Sequence, residues 1–181
     1  MAVFTDNDGV INGTSYDLIG TGDDDILTIT GAWLRAGATS GIIDLLGETT
    51  EDIVRLTSSN LTNVTISGVE RTELTGNGGN RVDATQIINL GTITNAGNTS
   101  GTTTASNITI SNGNGQTADF SGLSLQDNER INISTIGLGT GDSLTVDLSG
   151  GSFADTSFAL FSGSAADETV TGGTGNDSLS G

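Results

Sequence analysis

The 181-residue chain contains no cysteine, histidine, lysine or proline, and its aromatic residues are five Phe, one Trp and one Tyr. Without histidine, lysine and cysteine it lacks the commonest general base, the amine and thiol nucleophiles, and the imidazole and thiolate ligands of zinc. The absence of cysteine also excludes disulfide bonds and redox dithiols. These absences remove most kinds of catalytic site, and we predict that the protein is not an enzyme.

Positive charge is also scarce. Five arginines stand against 22 acidic residues, and the formal net charge is −17. Because nucleic acids and anionic membranes are bound by clustered Lys and Arg, we expect no nucleic-acid partner. No run of 18 apolar residues occurs, so we expect no membrane insertion, and the first residues show no cleavable signal peptide. The expected inorganic partner is a hard cation.

Short segments in which apolar and polar residues alternate occur along most of the chain. Residues 26–29, 108–110 and 144–148 are examples, each bounded by Gly, Asn, Asp or Ser. This pattern is typical of β-strands. Residues 32–46 raise the alternative of a short helix, although two glycines interrupt it. We therefore predict an all-β protein.

A degenerate tag, an Asp between two apolar residues, recurs at Asp44, Asp83, Asp119 and Asp147. Its irregular spacing corresponds to one or two rungs of roughly 20–30 residues. The few aromatic residues would not fill a wide two-sheet core, whereas in a narrow coil each rung covers the next. Most Asn-Gly pairs also lie in longer Gly/Asn stretches and not in two-residue hairpin loops. We predict a right-handed parallel β-helix or β-roll, with an antiparallel β-sandwich as the alternative.

The strongest motif is Gly-Gly-Thr-Gly-Asn-Asp-Ser-Leu-Ser at residues 172–180. It matches the nonapeptide G-G-x-G-x-D-x-U-x, in which U is a large apolar residue, at every specified position. An earlier copy at residues 19–27 has isoleucine for the first glycine and places Asp24 at the acidic position. Partial copies at residues 13–19 and 139–144 contain Asp17 and Asp142.

These nonapeptides resemble those of the repeats-in-toxin (RTX), or hemolysin-type, calcium-binding family of secreted bacterial proteins. Residues 67–84 are more loosely similar to the spacer rungs of RTX surface-layer proteins and adhesins. The resemblance implies glycine-cornered turns that stack and share Ca²⁺ between coils. It also implies export to the cell exterior through a one-step (type I) secretion channel without a cleaved N-terminal signal.

The spacing of the motif has a physical reason. Glycines let a turn curl until its carbonyls point inward, the Asp adds a carboxylate, and Ca²⁺ takes about six to eight oxygens. The predicted metal ligands are Asp17, Asp23, Asp24, Asp142, Asn176 and Asp177, with carbonyls near Gly20, Gly22, Gly173 and Gly175. A Gly-Asn-Asp turn is common in any β protein, because Asn and Asp tolerate left-handed backbone. For Asp17 and Asp142 both interpretations stay open.

We expect one β-helical domain over residues 1–181, taken from a longer chain, with a nonapeptide array beginning at residues 172–181. The leading hypothesis is a non-catalytic, calcium-binding structural protein of the bacterial cell exterior, a surface-layer or adhesin segment that folds or assembles on calcium. Its expected partners are calcium ions, other copies in a lattice or filament, and a cell-surface glycan. The alternative is an RTX-type accessory module of a secreted lipase, protease or polysaccharide-modifying enzyme. An enzyme using Asp44, Asp83 and Asp119 is disfavoured, because each is better interpreted as a strand-end residue that caps a turn.

Overall fold

The computed structural model describes residues 1–34, 36–47, 51–76, 78–95, 105–154, 158–174 and 176–180, without the side chains of Phe158, Asn176 and Leu179. The chain winds into a β-solenoid of about six turns. Among the described strands, every pair is parallel except one hairpin at the N-terminus. The prediction of a parallel β-helix or β-roll is confirmed, and the sandwich alternative is wrong.

The strands form four sheets. Sheet A contains β1 (Ala2–Thr5), β4 (Asp25–Ile29), β6 (Ile53–Leu56), β8 (Arg71–Leu74), β10 (Thr92–Thr94), β13 (Leu123–Leu125) and β16 (Ser152–Phe153). Sheet B contains β2 (Val10–Asn12), β3 (Ser15–Ile19), β5 (Ser40–Asp44) and β7 (Val64–Ser67). Sheet C contains β9 (Gly79–Asp83), β11 (Ala105–Ser111), β14 (Arg130–Thr135), β17 (Phe158–Ser162) and β19 (Asn176–Ser180). Sheet D contains β12 (Gln116–Asp119), β15 (Ser143–Asp147) and β18 (Asp167–Thr171).

A single 3₁₀ helix, Ala84–Leu90, joins sheets B and D within the described part of the chain. It contacts β7 on one side and β12 on the other, so the two sheets follow one another along one face of the solenoid. Ile87 and Leu90 are buried and replace the inward side chains that a strand would provide. No described helix is long and apolar enough to cross a membrane.

The length of a turn varies along the solenoid. Eighteen residues separate Ile53 from its partner Arg71, and thirty separate Ile93 from Leu123. Part of the difference is the seven-residue strand β11 in sheet C, where the shorter turn has the bridging residue Asn60. This explains why the tags in the sequence recur at irregular spacing.

The core consists of inward side chains that stack from one turn to the next. In sheet A, one such column is formed by Leu27, Val54, Thr72, Ile93 and Leu123, none of which is more than 1% exposed. Because each layer covers the one before it, aliphatic side chains fill the interior without many aromatic residues.

The segment 32–46, for which a helix was an alternative, has no helix in its described residues. Trp33 is completely buried and its Nε1–H donates to the Tyr16 carbonyl at 3.0 Å. Gly41 makes this possible, since a Cβ there would lie 2.9 Å from the indole ring. In this segment the chain therefore buries Trp33 against the first turns of the solenoid, and its described residues form no helix.

The N-terminal hairpin is the exception to the parallel pattern. β2 and β3 are antiparallel, with Asn12 opposite Ser15, so Gly13 and Thr14 form a two-residue loop. Gly13 has φ +65°, which glycine adopts without the steric cost of a side chain. This Asn-Gly pair is a hairpin signal that the sequence interpretation passed over.

The solenoid changes geometry at its C-terminal end. β17, β18 and β19 begin at Phe158, Asp167 and Asn176, nine residues apart, and Phe158 lies opposite Asn176. This last turn passes from sheet C to sheet D and back to sheet C without a strand in sheet A. Its two half-turns therefore have the period of the nonapeptide repeat.

Candidate functional site

The nonapeptide at residues 172–180 forms the turn between β18 and β19. Asp177 stacks on Ala159, a buried residue on the inward side of sheet C. Asp177 Oδ2 accepts a hydrogen bond from the Gly173 N–H at 2.8 Å, and a Cβ on Gly172 would lie 2.5 Å from the same oxygen. Within the described residues, Oδ1 is buried and has no hydrogen-bond partner.

The half-turn before it repeats this arrangement at Glu168. Glu168 Oε1 accepts hydrogen bonds from the Ser164 N–H at 2.7 Å and from the Ser164 hydroxyl at 2.6 Å. Glu168 stacks on Leu144, which is buried, so the Glu168 side chain, like that of Asp177, projects from the inward face of its strand. In both half-turns the acidic residue therefore binds the backbone of the residue four positions earlier.

The N-terminal copy contains the same turn at Asp25. The Thr21 N–H donates to Asp25 Oδ2 at 2.6 Å, and the Thr21 hydroxyl donates to Oδ1 at 2.8 Å. A Cβ on Gly20 would lie 2.5 Å from Oδ2, as one on Gly172 would from Asp177. Gly20, Thr21 and Asp25 thus correspond to Gly172, Gly173 and Asp177.

By hydrogen bonding, the residue that corresponds to Asp177 is Asp25, one position after Asp24, the acidic residue of the motif at residues 19–27. Three consecutive aspartates, residues 23–25, precede the strand; the glycine spacing of the motif selects Asp24, whereas the hydrogen bonds of the turn select Asp25. The signal that separates them is Thr21, four residues before Asp25, which donates both of its polar hydrogens to it.

The Asp25 and Asp177 turns differ in how far the carboxylate is satisfied. Asp25 is completely buried, and its Oδ1 also accepts from the Ala2 N–H at 3.2 Å, so protein donors reach both oxygens. Gly173 has no hydroxyl to offer Asp177, and Asp177 Oδ1 has no donor in the described part of the chain. A buried carboxylate oxygen is unfavourable unless a donor or a cation approaches it. We call the N-terminal turn closed, because protein groups donate to both oxygens of Asp25. We call the C-terminal turn open, because Asp177 Oδ1 has no donor among the described residues.

The other predicted ligands of the N-terminal region lie around the Asp25 turn. Asp23, Asp24 and Gly22 are exposed, and the Asp24 carbonyl accepts the Ala2 N–H at 3.0 Å. The Gly20 N–H donates to the Asp44 carbonyl at 2.7 Å. Whether Asp23 or Asp24 binds calcium stays a prediction.

Two weaker candidates lie in different surroundings. Asp17 is within strand β3, where its carboxylate accepts from the Ser15 hydroxyl, and it is not part of a turn. Asp142 Oδ2 accepts from the Gly139 N–H at 2.9 Å, three residues earlier instead of four. This shorter turn is the structural consequence of a copy that is one residue short.

The predicted ligands do not converge on one point. Asp24 precedes a strand of sheet A, Asp142 precedes one of sheet D, and Asp177 lies in sheet C. No group of three acidic side chains is arranged to hold a metal ion in the part of the chain that the structure describes. Gly175 and the side chain of Asn176 lie outside the described residues.

A second buried carboxylate was missed by the sequence interpretation. Asp52 stacks on Asp25 at the corner that leads into sheet A, and its Oδ1 accepts the Asp25 N–H at 2.7 Å. The Asp52 N–H donates to Glu70 Oε2 at 2.8 Å, which continues the ladder into the next turn. Asp52 is completely buried, and its Oδ2 has no partner among the described residues.

Burial raises the pKa of the Asp52 carboxyl above its ordinary value. The hydrogen bond from Asp25 lowers this pKa, while the negative charges of Glu70, Asp25 and Asp24 raise it further. The net shift is upward, so the charged form of Asp52 is disfavoured in the folded protein.

The prediction that strand-end aspartates cap turns is confirmed for Asp44 and Asp119 and not for Asp83, and Asp147 also caps a turn. Asp44, Asp119 and Asp147 each accept a hydrogen bond from the N–H two residues later, at 3.1, 2.8 and 2.9 Å. Two hydrogen bonds from Ser149 lower the pKa of Asp147, and the one from its side chain has a larger effect than the one from its backbone. Asp83 instead accepts from the Ser111 hydroxyl at 2.9 Å.

Comparison of the chain with models of protein families, with curated proteins and with solved structures found no match. The observations that bear on the function therefore come from the residues of this chain.

Proposed function

We propose that the protein is a non-catalytic, calcium-binding structural module of the bacterial cell exterior, of the RTX type. The observation that carries the proposal is the buried Oδ1 of Asp177, which has no partner among the described residues at the base of a glycine-rich turn. The last three strands begin nine residues apart, and in each of the two half-turns a backbone N–H donates a hydrogen bond to an acidic side chain. This regular spacing supports the proposal.

The ligand chemistry favours calcium. Asp177 Oδ1 supplies one anionic oxygen, and the carbonyls of the glycine-rich turn supply neutral ones, which together suit a hard cation with a flexible shell. Mg²⁺ demands near-ideal octahedral geometry and dehydrates reluctantly, so a turn of this kind suits it less well. Because few carboxylates are gathered at one point, we expect a Kd on the order of 10⁻⁴–10⁻³ M, the range of extracellular calcium modules.

Calcium binding would be coupled to stability. A cation that binds only the folded turn stabilises it by mass action, by about 1.4 kcal/mol at a calcium concentration of about ten times Kd. It also offsets part of the repulsion within a chain whose net charge is −17. A low-affinity site of this kind would be filled at the millimolar calcium of the cell exterior and empty in the cytosol.

Thermal unfolding followed by circular dichroism tests the proposal. We expect millimolar Ca²⁺ to raise the Tm of the wild-type chain, chelator to lower it, and equimolar Mg²⁺ to have a smaller effect. The variant Asp177→Asn should lose the calcium-dependent part of Tm, whereas the control variant Glu51→Gln, at an exposed acidic residue that is not among the predicted ligands, should retain it. A wild-type melting curve that is identical in calcium and in chelator would rule the proposal out.

A further inference from the structure

A surface cleft lies between two successive corners that join sheets C and D. It is bounded by residues 111–114 in one turn and residues 136–142 in the next, and it has a volume of about 450 Å³. The side chains that line it include those of Arg81, Asn112, Asn114, Ile136, Leu138 and Asp142. This volume lies within the ~300–1,000 Å³ typical of ligand clefts.

Arg81 is the unusual residue of this cleft. Arg55 and Arg71 form ion pairs with glutamates, but the Arg81 guanidinium forms neither an ion pair nor a hydrogen bond with any described residue. It is nevertheless half-buried, and it belongs to a chain with 22 acidic residues. A planar guanidinium presents five N–H donors in a geometry that matches a carboxylate. Its position therefore indicates recognition of an anionic group.

The polar groups around Arg81 leave their outward atoms available. Asn114 Oδ1 accepts the Ser143 N–H at 3.1 Å, and its amide nitrogen has no partner among the described residues. Asp142 uses Oδ2 for the Gly139 N–H, which leaves Oδ1 for a ligand donor. Asn112 donates to Asp83 Oδ1 at 2.8 Å and is thereby held in place. The cleft thus combines one cation with a fixed donor and a fixed acceptor.

The remaining wall is apolar. Ile136 is 40% exposed, and Leu138 beside it is partly buried. A ligand that uses every part of this cleft carries a carboxylate, several hydroxyl groups and a small apolar C–H face. A sugar acid has all three, whereas an inorganic anion lacks the C–H face and a simple fatty acid lacks the hydroxyls.

We infer that the cleft binds a uronic-acid residue of an acidic oligosaccharide, with its carboxylate on Arg81. Asn114 and Asp142 bind the hydroxyl groups, and Ile136 and Leu138 pack against the ring. The site does not depend on the calcium proposed at Asp177, because none of its residues belongs to that turn. Short oligosaccharides are favoured over long polyuronates, which the net charge of −17 repels.

Binding of trigalacturonate and triglucuronate, measured by NMR titration at constant calcium, tests this assignment. The control ligands are the methyl esters of the same trisaccharides, which keep the hydroxyls and lose the charge. We expect amide shifts at residues 111–114 and 136–142 with the acids, and affinity weaker by about tenfold or more with the esters, because a charge-assisted hydrogen bond is lost.

Two variants locate the binding. Arg81→Gln should weaken the binding of the acids by about tenfold or more and leave the binding of the esters unchanged. Arg55→Gln, which changes a residue on another sheet, should alter the binding of neither. Asp142→Asn should weaken acids and esters alike. Absence of binding by both acids at millimolar concentration, or equal binding by Arg81→Gln, would overturn the assignment. Binding that Asp177→Asn abolishes and Arg81→Gln does not would show a calcium bridge and would overturn it too.

Discussion

The ring of Phe153 packs directly on Gly173, so that a Cβ at Gly173 would overlap the ring. Phe153 is in the last strand of sheet A, and Gly173 is in the turn that precedes β19. The φ of Gly173 is not in the left-handed region, so this glycine is required for the space it leaves and not for its backbone. The same contact excludes a hydroxyl-bearing residue from the position that Thr21 fills in the N-terminal turn. It therefore leaves Asp177 Oδ1 without a donor among the described residues.

The first prediction concerns this contact. Gly173→Ala should destabilise the C-terminal turn by about 1–3 kcal/mol, the usual range for overpacking, because either the turn or the ring must move. Thermal unfolding measures the loss. Gly22→Ala is the matched control, since a Cβ there meets nothing within 4 Å. Phe153→Leu in the Gly173→Ala background should recover part of the stability, and a double mutant no more stable than Gly173→Ala would argue against the ring contact.

The second prediction separates the closed turn from the open one. Asp25→Asn should cost about 2–3 kcal/mol of unfolding free energy, because the amide nitrogen would face N–H and O–H donors that the carboxylate now accepts. The loss should be the same in calcium and in chelator, since the protein alone satisfies Asp25. Chemical denaturation under both conditions measures it, with Glu51→Gln, at an exposed side chain outside the predicted ligands, as the control. A loss seen only in calcium would mean that Asp25 is itself a metal ligand.

The third prediction concerns pH and Asp52. Because its folded pKa lies above its unfolded value, the stability contributed by this group is fully present at low pH and is lost as pH rises through the folded pKa. Asp52→Asn, which stays neutral, should therefore have a higher Tm than the wild type at pH 7. The difference should shrink as pH falls below the ordinary pKa of an aspartate.

A pH series of melting curves checks the Asp52 prediction. Glu51→Gln serves as the control, because its side chain is 54% exposed and its change should be small at every pH. If Asp52→Asn were less stable than the wild type by the same amount at pH 4 and at pH 7, the buried oxygen would have to be satisfied by a donor.

The fourth prediction concerns the ion pairs on the outer face of sheet A. Glu73 binds Arg55 at 2.7 Å and Arg71 at 3.1 Å, and Glu51 binds Arg71 at 2.7 Å. These groups are partly exposed, so Glu73→Gln should cost no more than about 1 kcal/mol, and less at high salt. Urea unfolding at low and high ionic strength measures this. An equal cost at both would show that packing, and not charge, is responsible.

The class of fold was predictable because alternation of apolar and polar residues is a local property of each strand. The exceptions arise where tertiary packing decides. Ile87 and Leu90 lie in a segment that could have formed a strand, but the Asp83 N–H donates to the Gln86 side chain and a 3₁₀ helix follows. The burial of Trp33 against Gly41 similarly joins residues of different segments, which no local pattern reports.

The candidate site was predictable only in part. The nonapeptide predicted a turn at Asp177, which the structure contains, whereas calcium binding there stays a prediction. Which of the three N-terminal aspartates Thr21 reaches is a matter of three-dimensional geometry. Asp52 has no motif around it and becomes notable only through its burial. Arg81 resembles the other arginines in sequence, and unlike Arg55 and Arg71 its side chain has no partner among the described residues.

A calcium titration followed by amide NMR tests the central claim most directly, because it locates the ion as well as detecting it. We predict that the largest shifts occur at the described amides of residues 172–177, with half-saturation at about 10⁻⁴–10⁻³ M calcium. We also predict that these shifts vanish in Asp177→Asn and persist in Asp25→Asn. Shifts centred on residues 20–25 instead, or a spectrum that millimolar calcium leaves unchanged, would contradict the account.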